Sequence, residues 1–319
     1  MMKILYLTDD RSIYAQGYYY MDWVNVFKKH HDLILWGPGF PTPDQGCMSQ
    51  VDLLIIGHGA YDVLKASRYY SQRKRLWQWV TRTPSFGHWP AYIRQLRCPK
   101  VFFSKNDYKE LDMKVSLAKR EKIHLVITHS KQAVASFRSA GVTCEWIPFG
   151  VDLDRFANYK RERDIDIGFR GNTNDQWNDG IRSALIEAVL NTCDDLRLDI
   201  VTSRNAENFL FGRPYVDWIN RCHLIINTVS AIGTVGPKWW EEMACGCVPL
   251  APIADYEGLV EPGQHYLAVK PDFSDLRLQV NRFFQDSGFR QQLEQNVADV
   301  AVQASMEHRY QELWHAIEM

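Results

Sequence analysis

Gly233 to Pro252 reads GTVGPKWWEEMACGCVPLAP, and this stretch decides the fold. The run before it, His223 to Val229 (HLIINTV), is apolar and β-branched, which predicts a buried strand. Ser230 to Pro237 therefore sits where a strand hands over to a helix. At such a junction the unpaired N–H groups of the first turn and the helix dipole favour an anion. Lys238 adds a full positive charge where the dipole alone prefers a negative one, and a phosphate partner makes sense of that placement. Glu241 lies one turn further and can accept hydrogen bonds from a sugar diol. A phosphate cradle, a cation and a diol acceptor together describe a site for a nucleotide diphosphate sugar. The plainer alternative is an ordinary strand–helix–strand unit with a surface lysine.

On these residues the segment resembles the donor-site motif of GT-B glycosyltransferases of the group 1 type, and most specifically the spore-maturation CgeB-like enzymes. Members of that group carry a basic residue, a short spacer, then Glu-Ala-Met-Ala-Cys-Gly and an apolar strand. This chain supplies Lys238, Glu241, Met243, Ala244, Cys245 and Gly246 in that order. The resemblance implies that Lys238 contacts the donor pyrophosphate and that Glu241 holds the ribose hydroxyls. One departure stands out. The large retaining branch of the fold has two glutamates eight positions apart, and Gly233 occupies the place of the first. The donor sugar and the stereochemical outcome are left open by that change.

The rest of the chain alternates in the same way. Strands are expected at Lys3–Thr8, Asp32–Trp36, Val51–Ile56, Val101–Ser104, His124–Thr128 and Thr143–Ile147, with a loop from Asp9 to Gly17 and a helix through Lys29. Residues 37–50, with Gly37, Gly39 and three prolines, read as loop. Helices are expected at Lys109–Lys119 and Lys131–Ala140. A second α/β pattern opens at Asp164–Phe169 and continues through a helix at Ile181–Asn191 and a strand at Leu198–Val201. Strands alternating with helices imply parallel sheets with crossover connections. The phrase Ile147-Pro-Phe-Gly-Val-Asp-Leu-Asp-Arg-Phe156 is similar to the one closing the N-terminal domain of GT-B enzymes. The expected organisation is therefore α/β, a GT-B fold of two Rossmann-like domains whose sheets face across a cleft. Residues 1–156 form an acceptor-side domain and 157–319 a nucleotide-sugar donor domain. The resemblance implies that the terminal helix near His308–Ile317 crosses back.

Further donor-side candidates follow from the fold. Gly168, Arg170, Gly171 and Asn172 end the first strand of the second domain, where an open α/β sheet places its ligand crevice. Arg170 or nearby Arg182 is a candidate second cation for the pyrophosphate, each with a surface arginine as the alternative. Gly233, Thr234 and Gly236 let the backbone approach a phosphate closely. On the acceptor side an inverting enzyme needs a base for the acceptor hydroxyl. Asp9, Asp10, His58 and Asp107 stand at strand ends where that role is open to them, and Asp10 and His58 join Lys238 as the catalytic candidates. A retaining enzyme needs no such base.

The protein has 319 residues, 46% of them hydrophobic and 24% charged, which suits a globular chain of two medium domains. Its net charge of −1 gives no overall bias toward a polyanion. The distribution is uneven, however. Between Asp62 and Asp107 there is no acidic residue, while Lys65, Arg68, Arg73, Lys74, Arg75, Arg82, Arg94, Arg97, Lys100 and Lys105 all fall there, interleaved with aromatics. That pattern suits a nucleic-acid surface or an anionic membrane interface, and alternatively a solvated helix face. The expected acceptor is a hydroxylated base in phage-type DNA. A cell-envelope or spore-surface glycan or lipid-linked acceptor is the alternative, and a catalytically lapsed GT-B-like binding protein is a third reading.

Asp152-Leu-Asp154 and Asp164-Ile-Asp166 match a short metal-binding pattern, but each has a simpler role at a linker or strand entry. No metal and no cofactor beyond the nucleotide sugar is expected. There is no GxGxxG and no GxxxxGKS/T, which argues against a dehydrogenase or P-loop protein. The seven cysteines form no CxxC pair, and with no apolar run long enough to span a bilayer they point to a cytoplasmic protein of a bacterial or phage-infected cell.

Overall fold

Short runs rich in leucine, isoleucine, valine and phenylalanine form the strands, and their apolar residues are buried on both sheet faces, as parallel pairing requires. The computed structural model describes residues 1–8, 18–69, 89–107, 109–173, 180–202, 208–229 and 233–318. The chain divides into two units, Met1–Pro148 with Tyr310–Met319, and Phe149–Arg309.

The first unit runs β1 (Lys3–Leu7), α1 (Tyr18–His30), β2 (Asp32–Trp36), α2 (Gln45–Met48), β3 (Leu53–Ile56), α3 (Ala60–Tyr69), α4 (Trp89–Gln95), β4 (Lys100–Ser104), α5 (Leu111–Arg120), β5 (Leu125–Thr128), α6 (Lys131–Ser139) and β6 (Cys144–Trp146). The strands form one parallel sheet in the order β2-β1-β3-β4-β5-β6. Leu5, Leu54, Ile56, Phe102, Val126 and Phe137 pack on one side of it. Tyr6, Trp23, Phe27 and Phe103 form an aromatic cluster, with the rings of Trp23 and Phe103 4.8 Å apart. Each such buried side chain contributes about 1.5–3 kcal/mol of apolar transfer. The returning segment is fixed by Tyr310, which stacks on His30 at 4.4 Å and bonds His31 through its hydroxyl at 2.7 Å. His30 and His31 thus hold the returning segment to the end of α1.

The second unit runs β7 (Ile165–Gly171), α7 (Ile181–Thr192), β8 (Leu198–Thr202), α8 (Arg213–Ile219), β9 (Cys222–Ile226), α9 (Pro237–Ala244), β10 (Val248–Pro252), β11 (Leu267–Val269), α10 (Leu276–Gln285) and α11 (Ser287–Gln303). The final helix, α12 (Met306–Glu318), starts in this unit and belongs to the first from Tyr310 onward. The parallel sheet has the order β11-β10-β9-β7-β8. Both sheets are therefore Rossmann-like, as the alternation of strands and helices implied.

The two readings part at α3, which no expected helix covers, and at several short segments. Residues 37–50 hold the single turn α2 within what reads as loop. The three-residue β11 and the seven-residue α8 are too brief for periodicity to mark them. Among the described residues no helix is long and apolar enough to cross a membrane.

Candidate functional site

The strand order of the second sheet reverses between β7 and β9. In open α/β sheets, ligands bind at the carboxyl ends of the strands flanking such a reversal. Three segments meet there: the end of β7, the residues Asn227 and Thr228 that follow β9, and the first turn of α9. Gly236 is the N-cap of α9 and Pro237 its first helical residue, and no side chain caps this end. Proline fits there because its missing N–H is one that the helix leaves unpaired anyway. The loop entering the helix turns at Gly233, whose φ of 75° is strained for any residue with a Cβ.

Lys238 follows Pro237, and its ammonium donates to the main-chain oxygen of Arg170 at the end of β7. A Cβ at Gly171 would lie 3.1 Å from Lys238 Nζ, so the ammonium packs closely over this glycine. Lys238 stays solvent-accessible, yet protein crowds its ammonium. That crowding lowers its pKa from the ordinary lysine value, with Glu242 and Glu241 working against the shift and Arg182 adding to it.

Glu241 and Glu242 stand three and four residues after Lys238, on the helix face that neighbours it. Both are buried, at 6% and 2% exposure. Burial raises the pKa of Glu241 against the pull of Arg155 and Lys238. Burial pushes Glu242 up to about 8, opposed by the hydrogen bond from Asn227 and by Lys238 and Arg182. Asn227 Nδ2 donates to Glu242 Oε2 at 2.7 Å, and the Asn227 amide oxygen accepts from the backbone N–H of Thr228 at 2.9 Å. Thr228 in turn accepts from Arg182 Nε at 2.9 Å, while Arg182 Nη1 donates to the Asn172 carbonyl at 2.9 Å. Two cations, two carboxylates and an uncapped helix start therefore converge at the switch point.

The sequence candidates fall unevenly around this centre. Lys238, Gly171, Gly233, Thr234, Gly236 and Glu241 all belong to its loop, helix or strand end. The Arg170 side chain turns elsewhere, pairing with Asp199 at 2.7 Å and donating to Asn208 O at 2.7 Å, over the ring of Trp218. Its carbonyl, not its guanidinium, reaches Lys238. The carboxylates of the two DxD pairs have local partners: Asp152 accepts from Asp154 N, Asp164 pairs with Arg221, and Asp166 pairs with Arg197.

His58 lies in the first unit just beyond β3, at 1% exposure. Its Nε2 meets His129 Nε2 at 2.7 Å, and His129 Nδ1 meets the Ile147 carbonyl at 2.7 Å. A carbonyl only accepts, so His129 carries its proton on Nδ1 and offers a lone pair at Nε2. His58 must then donate from Nε2, which leaves Nδ1 as its basic nitrogen. Burial lowers the pKa of His58 well below the usual histidine range, and His129, Lys105 and Lys114 nearby add to the shift. Asp107 ties β4 to β5 by accepting from Ser104, Lys114 and Thr128. Asp9, Asp10 and Arg73–Arg75 lie outside the described residues.

Glu242, Asn227, Thr228, Arg155 and Tyr215 were not legible as site residues. The Tyr215 hydroxyl is buried beside the Glu241 carboxylate. One signal was available for Glu242, a charge on the strand-facing side of an amphipathic helix, where the family pattern has alanine.

Residues 178–315 match a family model described as glycosyl transferase-like. Among curated proteins none matches by sequence. Solved structures that resemble the chain include HepE from Anabaena in complex with UDP and glucose, at 15% identity and a TM-score of 0.62 over 100% of both chains. The same protein with UDP-glucose matches at 16% identity and a TM-score of 0.62, again over 100% of both chains. Sucrose-phosphate synthase from Thermosynechococcus elongatus follows at 11% identity and 0.58, over 99% of both chains. At these identities the likeness is one of fold, and the fold is GT-B.

Proposed function

We propose that the chain is a glycosyltransferase that moves a sugar from a nucleotide diphosphate sugar to an acceptor hydroxyl. The observation that carries this reading is the placement of Lys238 at the uncapped start of α9, against the end of β7 and near Arg182. As the bond to the sugar breaks, negative charge gathers on the leaving diphosphate. Lys238, Arg182 and the first-turn dipole gather at the switch point, where they stabilise that charge as it develops. They supply this stabilisation without a metal. Glu241, one helical turn on, accepts from the ribose diol. The second unit is the donor side and the first the acceptor side.

UDP and UDP-glucose bound to HepE make a UDP-sugar the first donor to try. The order Lys238, Glu241, Met243 to Gly246 supports the CgeB-like group. In the first unit His58, with its tautomer set by His129, is the proposed proton acceptor, and Asp10 remains its rival on sequence grounds. The acceptor reading rests on the uninterrupted positive charge between Asp62 and Asp107, which favours DNA over an anionic membrane surface. Release of nucleoside diphosphate from a panel of nucleotide sugars, with DNA, lipid and glycan acceptors, tests the assignment. An inactive binding protein would retain the nucleotide sugar and release nothing.

A further inference from the structure

Glu242 is the charged side chain of the donor site that the reading above leaves without a task. A strand-facing helix position ordinarily takes an apolar residue, and an ionised carboxylate there is costly unless paired. The groups that act on it come from every element around it. Lys238 and Glu241 stand on its own helix and Arg182 on α7. Tyr215 on α8 and the thiols of Cys222, Cys245 and Cys247 complete the set, and Asn227 supplies a hydrogen bond.

Lys238 and Arg182 therefore have Glu242 as a shared counter-charge, while their N–H donors are directed to neutral oxygens, those of Arg170, Asn172 and Thr228. A diphosphate seated on these cations brings at least two negative charges toward a buried carboxylate. Like charges in one low-dielectric site cannot all remain ionised.

We propose that Glu242 is a positioning residue that couples donor binding to proton uptake. As a carboxylate it holds Lys238 and Arg182 at the carboxyl end of β7. When the diphosphate arrives, Glu242 takes one proton from solvent on the oxygen opposite the Asn227 bond, and both cations pass to the phosphates. No other bond forms or breaks. This inference rests on the donor reading above. Burial has already lifted Glu242 toward neutral pH, so the uptake falls in the window above it.

The experiment is calorimetry of UDP and other nucleoside diphosphates at about pH 8.5, where the free ligand is fully ionised, in buffers of different ionisation enthalpy. The native protein should take up more protons than Glu242→Gln, by a large part of one. Its dissociation constant should weaken toward about tenfold per pH unit above pH 8, and the variant should be flatter. Loss of the Glu242 charge lowers the Lys238 pKa further, so uptake at Lys238 is at least as large in the variant and works against the expected difference. Glu242→Ala, which installs the residue of the family pattern on a helix, checks that the result is not a peculiarity of glutamine. Equal uptake and parallel pH dependence in all three proteins, with UDP still bound, would overturn the inference and leave the donor reading standing. Failure of every nucleoside diphosphate to bind would overturn both.

Discussion

Lys238 donates its ammonium proton to the main-chain oxygen of Arg170, joining the first turn of α9 to the end of β7. This bond puts a cation at the point where the sheet order reverses. The neighbouring Gly171 leaves room for the ammonium beside the strand end. Helix start, cation and strand end thereby become one structural feature, and the functional reading follows from that coincidence.

Glu241→Gln should weaken binding of the free nucleoside diphosphate by on the order of tenfold while the melting temperature moves little. A carboxylate accepts through two oxygens, whereas an amide accepts through one, and bonds to a charged acceptor are the stronger kind. Calorimetry reads the change directly. Unchanged affinity would make Glu241 a structural residue facing Arg155 and Tyr215.

The two arginines should separate. Arg182→Ala removes a cation that acts on Glu242 and Lys238, and nucleotide affinity should fall by about tenfold or more. Arg170→Ala breaks the pair with Asp199 and the contact with Trp218, so its main effect should be on thermal stability. Equal losses of affinity in both variants would return Arg170 to the phosphate site.

That difference also marks how far the sequence could be read. The motif from Gly233 to Pro252 was legible because the chemistry and the local backbone are specified by the same consecutive residues. Arg170 and Arg182 could be named as candidates but not ranked. Their roles depend on Asp199, Asn208 and Thr228, which approach from separate strands and loops. Glu242 was hidden for a similar reason, since its counterparts Asn227 and Arg182 are distant in sequence and meet only when the sheet forms. Strands with continuous apolar runs were recovered to within three residues at each end, while β11 and α8 are too short to carry a period. His58 was visible as a strand-end candidate, but its partnership with His129, which fixes its tautomer, was not.

His58 predicts a pH dependence of stability. Its folded pKa lies below the ordinary value of about 6.5. The unfolded chain therefore binds more protons between the two values, and stability rises with pH across that window. The contribution is fully present above pH 6.5 and is lost as pH falls below it. His58→Gln should flatten the acid limb of denaturant-melt stability by up to about 1.4 kcal/mol per pH unit. An identical slope in the variant would contradict the assignment of His58 as a buried neutral imidazole.

Charge reversal at Arg73, Lys74 and Arg75 tests the acceptor. With duplex DNA carrying hydroxymethylated bases, each lost phosphate contact should reduce the slope of log affinity against log salt by about 0.9. Affinity for the nucleotide should be unchanged. Loss of binding to anionic liposomes with no effect on DNA would assign the stretch to a membrane-borne acceptor. No response on either surface would mark it as a solvated face.

The most direct measurement is the rate of nucleoside diphosphate release from UDP-glucose and its relatives by the native protein and by Lys238→Ala. The account predicts release by the native enzyme and a fall of about a hundred- to a thousandfold in the variant, on the order of 3 kcal/mol of lost leaving-group stabilisation. The variant should remain folded by circular dichroism and thermal melting, because its side chain is solvent-accessible and fills no core space. Native-like turnover in folded Lys238→Ala, or no release from any nucleotide sugar by the native protein, would contradict it.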